Sequence, residues 1–270
     1  MAHATGKKQG DPMRAVDTIR PLSPIQSECP NCAFLEWGWP ANLTAGESRN
    51  VYDLVTHQQP IAQGNFLYQA GLPLASLHVI SSGFLKTSLG DQEGRNQVTG
   101  FCMTGELVGM DAIGIGKHIS DTVALEASRV CGMRYADLTD LGRRIPAMQH
   151  HFHRVLGAEL ARDQGIMLLL GVMNAQERVA MFLLNLSARF AAHGYSASRF
   201  RLPMTRAEIG SYLGLKLETV SRALSHLHDQ KMILINGKDV ELKSVPDLRR
   251  MIGQHGSPNA HSLLAVTPAL

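Results

Sequence analysis

The 270-residue sequence is short of the features that mark most functional classes. Charge is sparse: charged residues make up 18%, with 26 Lys and Arg against 23 Asp and Glu, and a net +3 over this length gives no bulk attraction to nucleic acid. Any DNA binding has to come from a local patch. Four cysteines are too few for a disulfide scaffold and read, in a reducing compartment, as thiols or metal ligands. No apolar run approaches the ~20 residues that span a bilayer. The longest surrounds Ile166 to Met173, and the N-terminus lacks the unbroken apolar segment of a secretory signal, so a cytoplasmic protein with no membrane partner is expected. Catalytic signatures are missing as well: there is no G-x-S-x-G elbow, no G-x-x-x-x-G-K-[ST] loop, no H-E-x-x-H and no carboxylate pair at a compelling spacing, which argues against an enzyme. What the chain has is 44% hydrophobic residues and room for about two domains, enough for each to bury a core.

The pattern along the chain divides it. Residues 1–28 mix Gly, Pro, Lys and Ser without a sustained period, and residues 254–270 are broken by Gly and Pro, so both read as tails outside the fold. Within 29–137, from about Gly46, short apolar runs such as Phe66-Leu67-Tyr68, Leu77 to Ile80 and Val98 to Cys102 are punctuated by Gly64, Gly71, Gly83, Gly90, Gly94, Gly100, Gly105 and Gly109. Closely spaced strands joined by tight turns predict an antiparallel barrel or roll. Residues 138–172 read as a dimerisation helix. From Pro146, which suits a first helical turn, apolar residues recur through Met148, Phe152, Val155, Leu156, Leu160, Met167 and Leu170. The seam Leu156, Leu160, Asp163, Met167, Leu170 advances by 4, 3, 4 and 3, a heptad spacing that predicts a partner helix. The alternative is packing on the chain's own roll with Asp163 in water. In a symmetric dimer the two Asp163 carboxylates repel unless one takes up a proton, so Leu160 and Asp163 are expected to form an association switch. His150, His151 and His153 fall on different faces of that helix, which favours solvated or capping roles over a shared metal site.

Residues 173–253 carry the most specific pattern. After a helical run through Val179, Phe182, Leu183 and Leu186, Thr205-Arg206-Ala207-Glu208 has the capping-box arrangement. The helix it opens carries Ile209, Tyr212 and Leu213 inward, breaks at Gly214, and restarts near Leu217: a helix-turn-helix. On the second helix Val220, Leu224 and Leu227 share a buried face, leaving Glu218, Ser221, Arg222 and Ser225 on the other. Arg222 can donate two hydrogen bonds to guanine, Glu218 can accept from cytosine N4, and Ser221 can meet a neighbouring base. Arg206, Lys216 and Lys231 are candidate phosphate contacts. Asn236-Gly237 between Met232 to Ile235 and Val240 to Leu242 predicts a two-stranded wing. The expected class is α+β: an N-terminal antiparallel β-roll, a long dimerisation helix and a C-terminal winged helix-turn-helix that reads double-stranded DNA.

In that order of parts, and in the segments TRAEIGSYLGLKLETVSRAL, NAQERVAMFLLNLSARF, GFCMTGELVGMDAIG and RDQGIMLLL, the chain resembles the CRP/FNR superfamily of bacterial transcription regulators, from about Cys29 to Gly253, and its FNR branch in particular. The resemblance implies a cyclic-nucleotide-binding-like roll, a homodimer, contact with RNA polymerase, and a palindrome of TTGAT-like half-sites read through the E-x-x-S-R of Glu218, Ser221 and Arg222. The loop Leu89 to Arg95 resembles one polymerase-contacting patch in position only. Cyclic-AMP-binding members carry an Arg-Ser pair after their Gly-Glu loop, whereas LVGMDAIGIGKHISDTVALE follows Gly105-Glu106 here, so no cyclic nucleotide is expected.

FNR proteins sense oxygen with a [4Fe–4S] cluster on three N-terminal cysteines and one in the roll. Cys29, Cys32 and Cys131 match three of these, but Gly38 stands where the third N-terminal cysteine belongs, and glycine has no ligating side chain. Cubane clusters normally take four thiolates. Cys102 or Glu36 could complete the set; Cys-x2-Cys with Cys131 also suits [2Fe–2S] or zinc. Otherwise Cys102 and Cys131 are buried small apolar residues and the cluster has been lost, leaving a regulator that binds DNA constitutively or under another signal. Trp37 and Trp39 beside the cysteines would shield a cluster or pack that loop on the roll.

Overall fold

A computed structural model describes residues 58–253 apart from 92, together with 44, 46, 47, 51, 54 and 55. Cys29, Cys32, Glu36, Trp37, Gly38, Trp39 and the two expected tails lie outside the described residues.

Among the described residues the roll has eight strands: β1 (Gln59–Ile61), β2 (Phe66–Tyr68), β3 (Ser76–Ser82), β4 (Phe84–Gly90), β5 (Asn96–Met103), β6 (Leu107–Val108), β7 (Asp121–Ala124) and β8 (Ser128–Arg134). They form two antiparallel four-stranded sheets, ordered β1-β8-β3-β6 and β2-β7-β4-β5. Alternation of buried and less buried residues along Asp121–Ala124 is the half-buried strand pattern of period 2. Between the sheets lie Ile61, Tyr68, Ile80, Leu85, Val108, Ala124 and Val130. The sequence reading placed turns at all eight glycines. Six of them, Gly64, Gly71, Gly83, Gly94, Gly105 and Gly109, do have positive φ. Gly90 and Gly100 instead lie within β4 and β5, where a Cβ on Gly100 would come within 2.7 Å of Thr87 Oγ1.

Two helices follow, α1 (Tyr135–Arg144) and α2 (Pro146–Val172). The 138–172 segment is therefore not one helix. Ile145 between them is extended, at φ −124 and ψ 94, because the ring of Pro146 disfavours helical geometry in the residue before it. A second core forms where β3 and β8 meet these helices, with Leu77, Val79, Cys131 and Met133 against Leu138, Leu141, Ile145, Met148 and Val155.

The C-terminal part holds α3 (Ala175–Ala192), β9 (Arg199–Arg201), α4 (Arg206–Leu213), α5 (Leu217–Asp229), β10 (Ile233–Asn236), β11 (Asp239–Leu242) and α6 (Val245–Gly253). The strands pair in the order β10-β11-β9, so β9 adds a third strand to the expected two-stranded wing. The largest core crosses the domain boundary: Phe84, Val98, Phe101, Met103 and Leu125 of the roll share it with Phe182, Leu186, Phe190, Leu213, Val220 and Leu224. Among the described residues no helix is long and apolar enough to cross a membrane.

Candidate nucleic-acid interface

The helix-turn-helix rests on local chemistry. Thr205 Oγ1 accepts from the amide of Glu208 at 3.2 Å while Glu208 Oε2 accepts from the amide of Thr205 at 2.7 Å, which closes the capping box and starts α4. Gly214 ends α4 in the left-handed region, at φ +63, where a side chain would be strained. Gly210, inside α4, lies so close to the turn that a Cβ there would approach Leu215 O to 2.5 Å. The helix tolerates glycine here because the turn folds back across it.

On α5, Val220, Ala223, Leu224 and Leu227 are buried. Glu218, Arg222 and Ser225 are exposed and Ser221 is half-buried, so the four side chains expected to read bases stand together on the face turned from the core. Lys216, at the N-cap of α5, is exposed and Arg206, opening α4, is half-buried. Lys231 is also exposed and follows the C-terminus of α5 at φ +57, an αL position that usually carries glycine. The amide of Ile235 donates to His228 Nδ1 at 3.4 Å, linking the wing to α5.

The backs of α3 and α4 meet the roll along β5, the edge strand of its sheet. At the centre, Arg189 of α3 donates through Nε to Glu106 Oε1 at 2.7 Å and through Nη2 to Glu106 Oε2 and Phe101 O, each at 2.5 Å. Glu106 also accepts from the amide of Met103 at 3.0 Å. Burial alone would raise the pKa of Glu106, but the guanidinium groups of Arg189 and Arg162 outweigh it and hold the carboxyl down at about 2. Phe101, Phe182 and Tyr212 pack edge to face and tilted around the pair, with centroids 5.3 to 6.0 Å apart. The sequence reading missed this centre. Its signal was a charged side chain at the spacing of an apolar face, Arg189 in step with Phe182, Leu186 and Phe190.

The helix face expected to pair with a second copy is open in the protomer. Leu160 is 60% and Met167 71% exposed, while Leu156 and Leu170 are half-buried. Asp163 lies between them, exposed, with desolvation raising its carboxyl above the usual value against the pull of Arg162. The neighbouring Glu159 is shifted the same way, first by desolvation and also by Glu106 and Asp163.

Of the candidate cluster ligands, Cys131 is fully buried on β8 beneath α1 and the start of α2. Cys102 is on the other sheet, in β5, and burial pushes its thiol up to about 12. Among the described residues no three His, Cys, Asp or Glu side chains group as a metal site. His151 is buried whereas His150 and His153 are exposed, so these three histidines do not converge. In the roll, the ring of His118 stacks on Tyr68 at 3.7 Å and pairs with Asp111 at 3.1 Å. Asp111 also accepts from the amides of Ile119 and Ser120 at 3.0 and 3.1 Å.

Comparison with known proteins agrees with this arrangement. The cyclic nucleotide-binding domain family matches residues 58–144 and the Crp-like helix-turn-helix domain family residues 177–251. The chain is 40% identical over 234 residues to the transcriptional regulatory protein btr of Bordetella pertussis, covering 87% of this chain and 97% of that protein. It is 39% identical over 225 residues to the fumarate and nitrate reduction regulatory protein of Escherichia coli, covering 83% and 90%. The structure of FixK2 from Bradyrhizobium japonicum superposes with a TM-score of 0.67 at 29% identity, covering 73% of this chain and 96% of that one.

Proposed function

Since the chain belongs to the CRP/FNR family of DNA-binding transcription regulators, we propose that it is an FNR-type regulator, a homodimer that binds a palindrome of TTGAT-like half-sites in response to oxygen or redox state. The observation that carries the DNA reading is the face of α5, where Glu218, Arg222 and Ser225 are exposed, with Ser221 half-buried among them, on the side turned from the core. Arg222 would hold guanine O6 and N7, Glu218 cytosine N4 and Ser221 a neighbouring base, with Arg206, Lys216 and Lys231 on phosphates. The exposed stripe Leu160, Asp163, Met167 supports pairing of two copies. Asp163 would keep that association marginal, because its carboxylates meet across the two-fold axis.

The redox reading rests on Cys131. Its thiol lies in an apolar shell that touches the first turns of α2, which is where a change in ligation would reach the dimer helix. Cys29, Cys32 and Cys131 would hold an iron–sulfur cluster of the [4Fe–4S] type; bound there, it supplies an oxygen-labile cross-link between the N-terminal segment and β8. Cys102, on the opposite sheet and with its thiol held protonated, is the weaker candidate for the fourth ligand. Cyclic nucleotide does not suit the roll: Glu106, in the Gly-Glu loop, is committed to Arg189, and Asp111 and His118 are bonded to each other in the segment that follows. The exposed β4–β5 hairpin, braced by a 2.6 Å contact between Arg95 and Asp91, is the candidate surface for RNA polymerase.

The test is iron and acid-labile sulfide per chain, with the visible spectrum, on protein purified without oxygen and then exposed to air, alongside footprinting of a TTGAT palindrome. About four of each, absorbance bleaching in air and a footprint lost with it are expected. No iron and no sulfide with an unchanged footprint would leave the DNA reading standing and remove the oxygen sensor.

A further inference from the structure

The free edge of β5 is covered by the DNA-binding domain at two groups and by the roll's own Glu106 at a third. Counting along the strand, the amide of Val98 donates to Ser211 Oγ at 2.9 Å, Phe101 O accepts from Arg189 at 2.5 Å, and the amide of Met103 donates to Glu106 at 3.0 Å. An uncovered strand edge would leave such groups to water or to another chain. The partner surface has unfilled bonds of its own, since the last turn of a helix leaves carbonyls without intrahelical donors. In α4 those carbonyls serve as sockets. Ser211 O accepts from Gln97 Nε2 of β5, and Leu213 O accepts from Arg178 Nη1 at 2.9 Å. The same Arg178 donates to Leu170 O at 2.8 Å and Met173 O at 2.9 Å at the end of α2. At the other end of α4, Lys86 Nζ of β4 holds the capping-box carboxylate of Glu208 at 2.7 Å, with the two side chains 24% and 20% exposed. The first helix of the helix-turn-helix is thus held at both ends by the roll and, at its C-terminus, also by Arg178 of α3, which bridges it to the end of α2. None of these contacts touches Glu218, Ser221, Arg222 or Ser225, so the docked arrangement leaves the reading face open.

We propose that Lys86, Glu208 and Ser211 are positioning residues that lock the helix-turn-helix to β4 and β5 of the roll and thereby fix the spacing at which two protomers read their half-sites. The inference rests on the reading of this chain as a dimer on a palindrome. Two reading helices in such a dimer must meet half-sites about 34 Å, or one DNA turn, apart. If the reading domain could rock on its roll, a site with one base pair added or removed between the halves would be tolerated. With α4 clamped, it is not.

The experiment is binding of the full chain, purified without oxygen and repeated in air, to palindromes whose central spacer is the preferred length or one base pair longer or shorter, and to a single half-site. Wild type should lose about tenfold or more in affinity at either altered spacer. In the double variant Lys86→Met with Ser211→Ala that penalty should fall to about threefold or less, while half-site affinity stays within about twofold. Ser211→Thr, which keeps the hydroxyl, should retain the wild-type penalty. A double variant that keeps the full spacing penalty overturns the proposal. So does one that weakens binding equally on every site, because that is the mark of lost stability and not of lost positioning. Wild type showing neither spacing preference nor sequence preference overturns the palindrome reading itself, and is told apart by its appearance in the unmodified protein.

Discussion

Replacing Arg189 by methionine tests whether the two halves of the protomer are welded as the geometry implies. The substitution keeps the length of the apolar stem and removes the guanidinium that makes three contacts of 2.5 to 2.7 Å with Glu106 and Phe101 O. Both members of the pair are 6% exposed, so Glu106 would be left as a buried carboxylate with the Met103 amide as its hydrogen-bond donor and only the more distant charge of Arg162. Breaking a buried ion pair on one side costs about 3–5 kcal/mol. At about 2–4 °C per kcal/mol for a chain of this size, the melting temperature at pH 7 should fall by roughly 6–20 °C. The sign with pH is fixed by Glu106. Its carboxyl is held near 2 in the fold against an ordinary 4.5, so the pair's stabilisation is complete above about pH 4.5 and lost as the pH falls towards 2. The deficit of Arg189→Met should therefore narrow in acid, as the stranded Glu106 takes up a proton. Adding Glu106→Gln removes the stranded charge while keeping an acceptor for Met103, and should recover about half of the loss at pH 7. Thermal unfolding of the three variants from pH 3 to 8 reads all of this. A fall of less than about 2 °C for Arg189→Met, or no recovery in the double variant, would refute the weld.

Arg222→Ala should cost about 1–3 kcal/mol of specific binding and leave non-specific binding at low salt intact, measured by competition between a TTGAT palindrome and random DNA. Asp163→Ala should tighten dimerisation in air by about tenfold, seen by sedimentation, since it removes a carboxyl already raised by desolvation. For the same reason the wild-type dimer should tighten as the pH falls through that raised pKa, whereas the Asp163→Ala dimer should not respond. Lys231→Gly should move two readouts in opposite directions: relief of φ +57 stabilises the fold by about 1 kcal/mol, while loss of a phosphate contact lowers the salt slope of DNA binding by about one. Gly210→Ala, which puts a methyl 2.5 Å from Leu215 O, should abolish footprinting while circular dichroism shows the roll still folded.

The parts of the molecule legible in the sequence were those set by local rules. Thr205 and Glu208 announce a helix start three residues apart, Gly214 its end, and Asn236-Gly237 the wing, and each of these acts within a few residues of itself. The open stripe on α2 was legible for the same reason, since a heptad seam is a property of one helix. Glu106 and Arg189 are 83 residues apart, and no periodicity links a loop glutamate to an arginine on a distant helix. The break at Ile145 could have been read from Pro146 alone; the long apolar pattern running across it concealed the restriction that proline places on its neighbour. β9 was missed because three residues with one buried Phe200 carry too little alternation to show, and only pairing with β11 makes them a strand.

These contacts bear on how such a regulator can be switched. A protomer whose reading domain shares a core with its roll, whose α4 is tied to β4 and β5, and whose Arg178 bridges α4 to the end of α2, has little freedom to swing that domain. Moving it would expose Phe101, Phe182 and Val98 and strand Glu106. The stripe of Leu160, Asp163 and Met167 is exposed among the described residues of the protomer, and it carries a carboxylate at its centre. Burying two exposed leucines and two methionines across a two-fold axis favours association by a few kcal/mol, about the scale on which a pair of like charges opposes it. If two copies pair there as proposed, an equilibrium so balanced would respond to a small bias applied at the first turns of α2, whose Met148 and Val155 share an apolar cluster with Cys131. Under the proposed reading, control would then act on the assembly of protomers, at the open stripe of α2, and not on the docking of the reading domain.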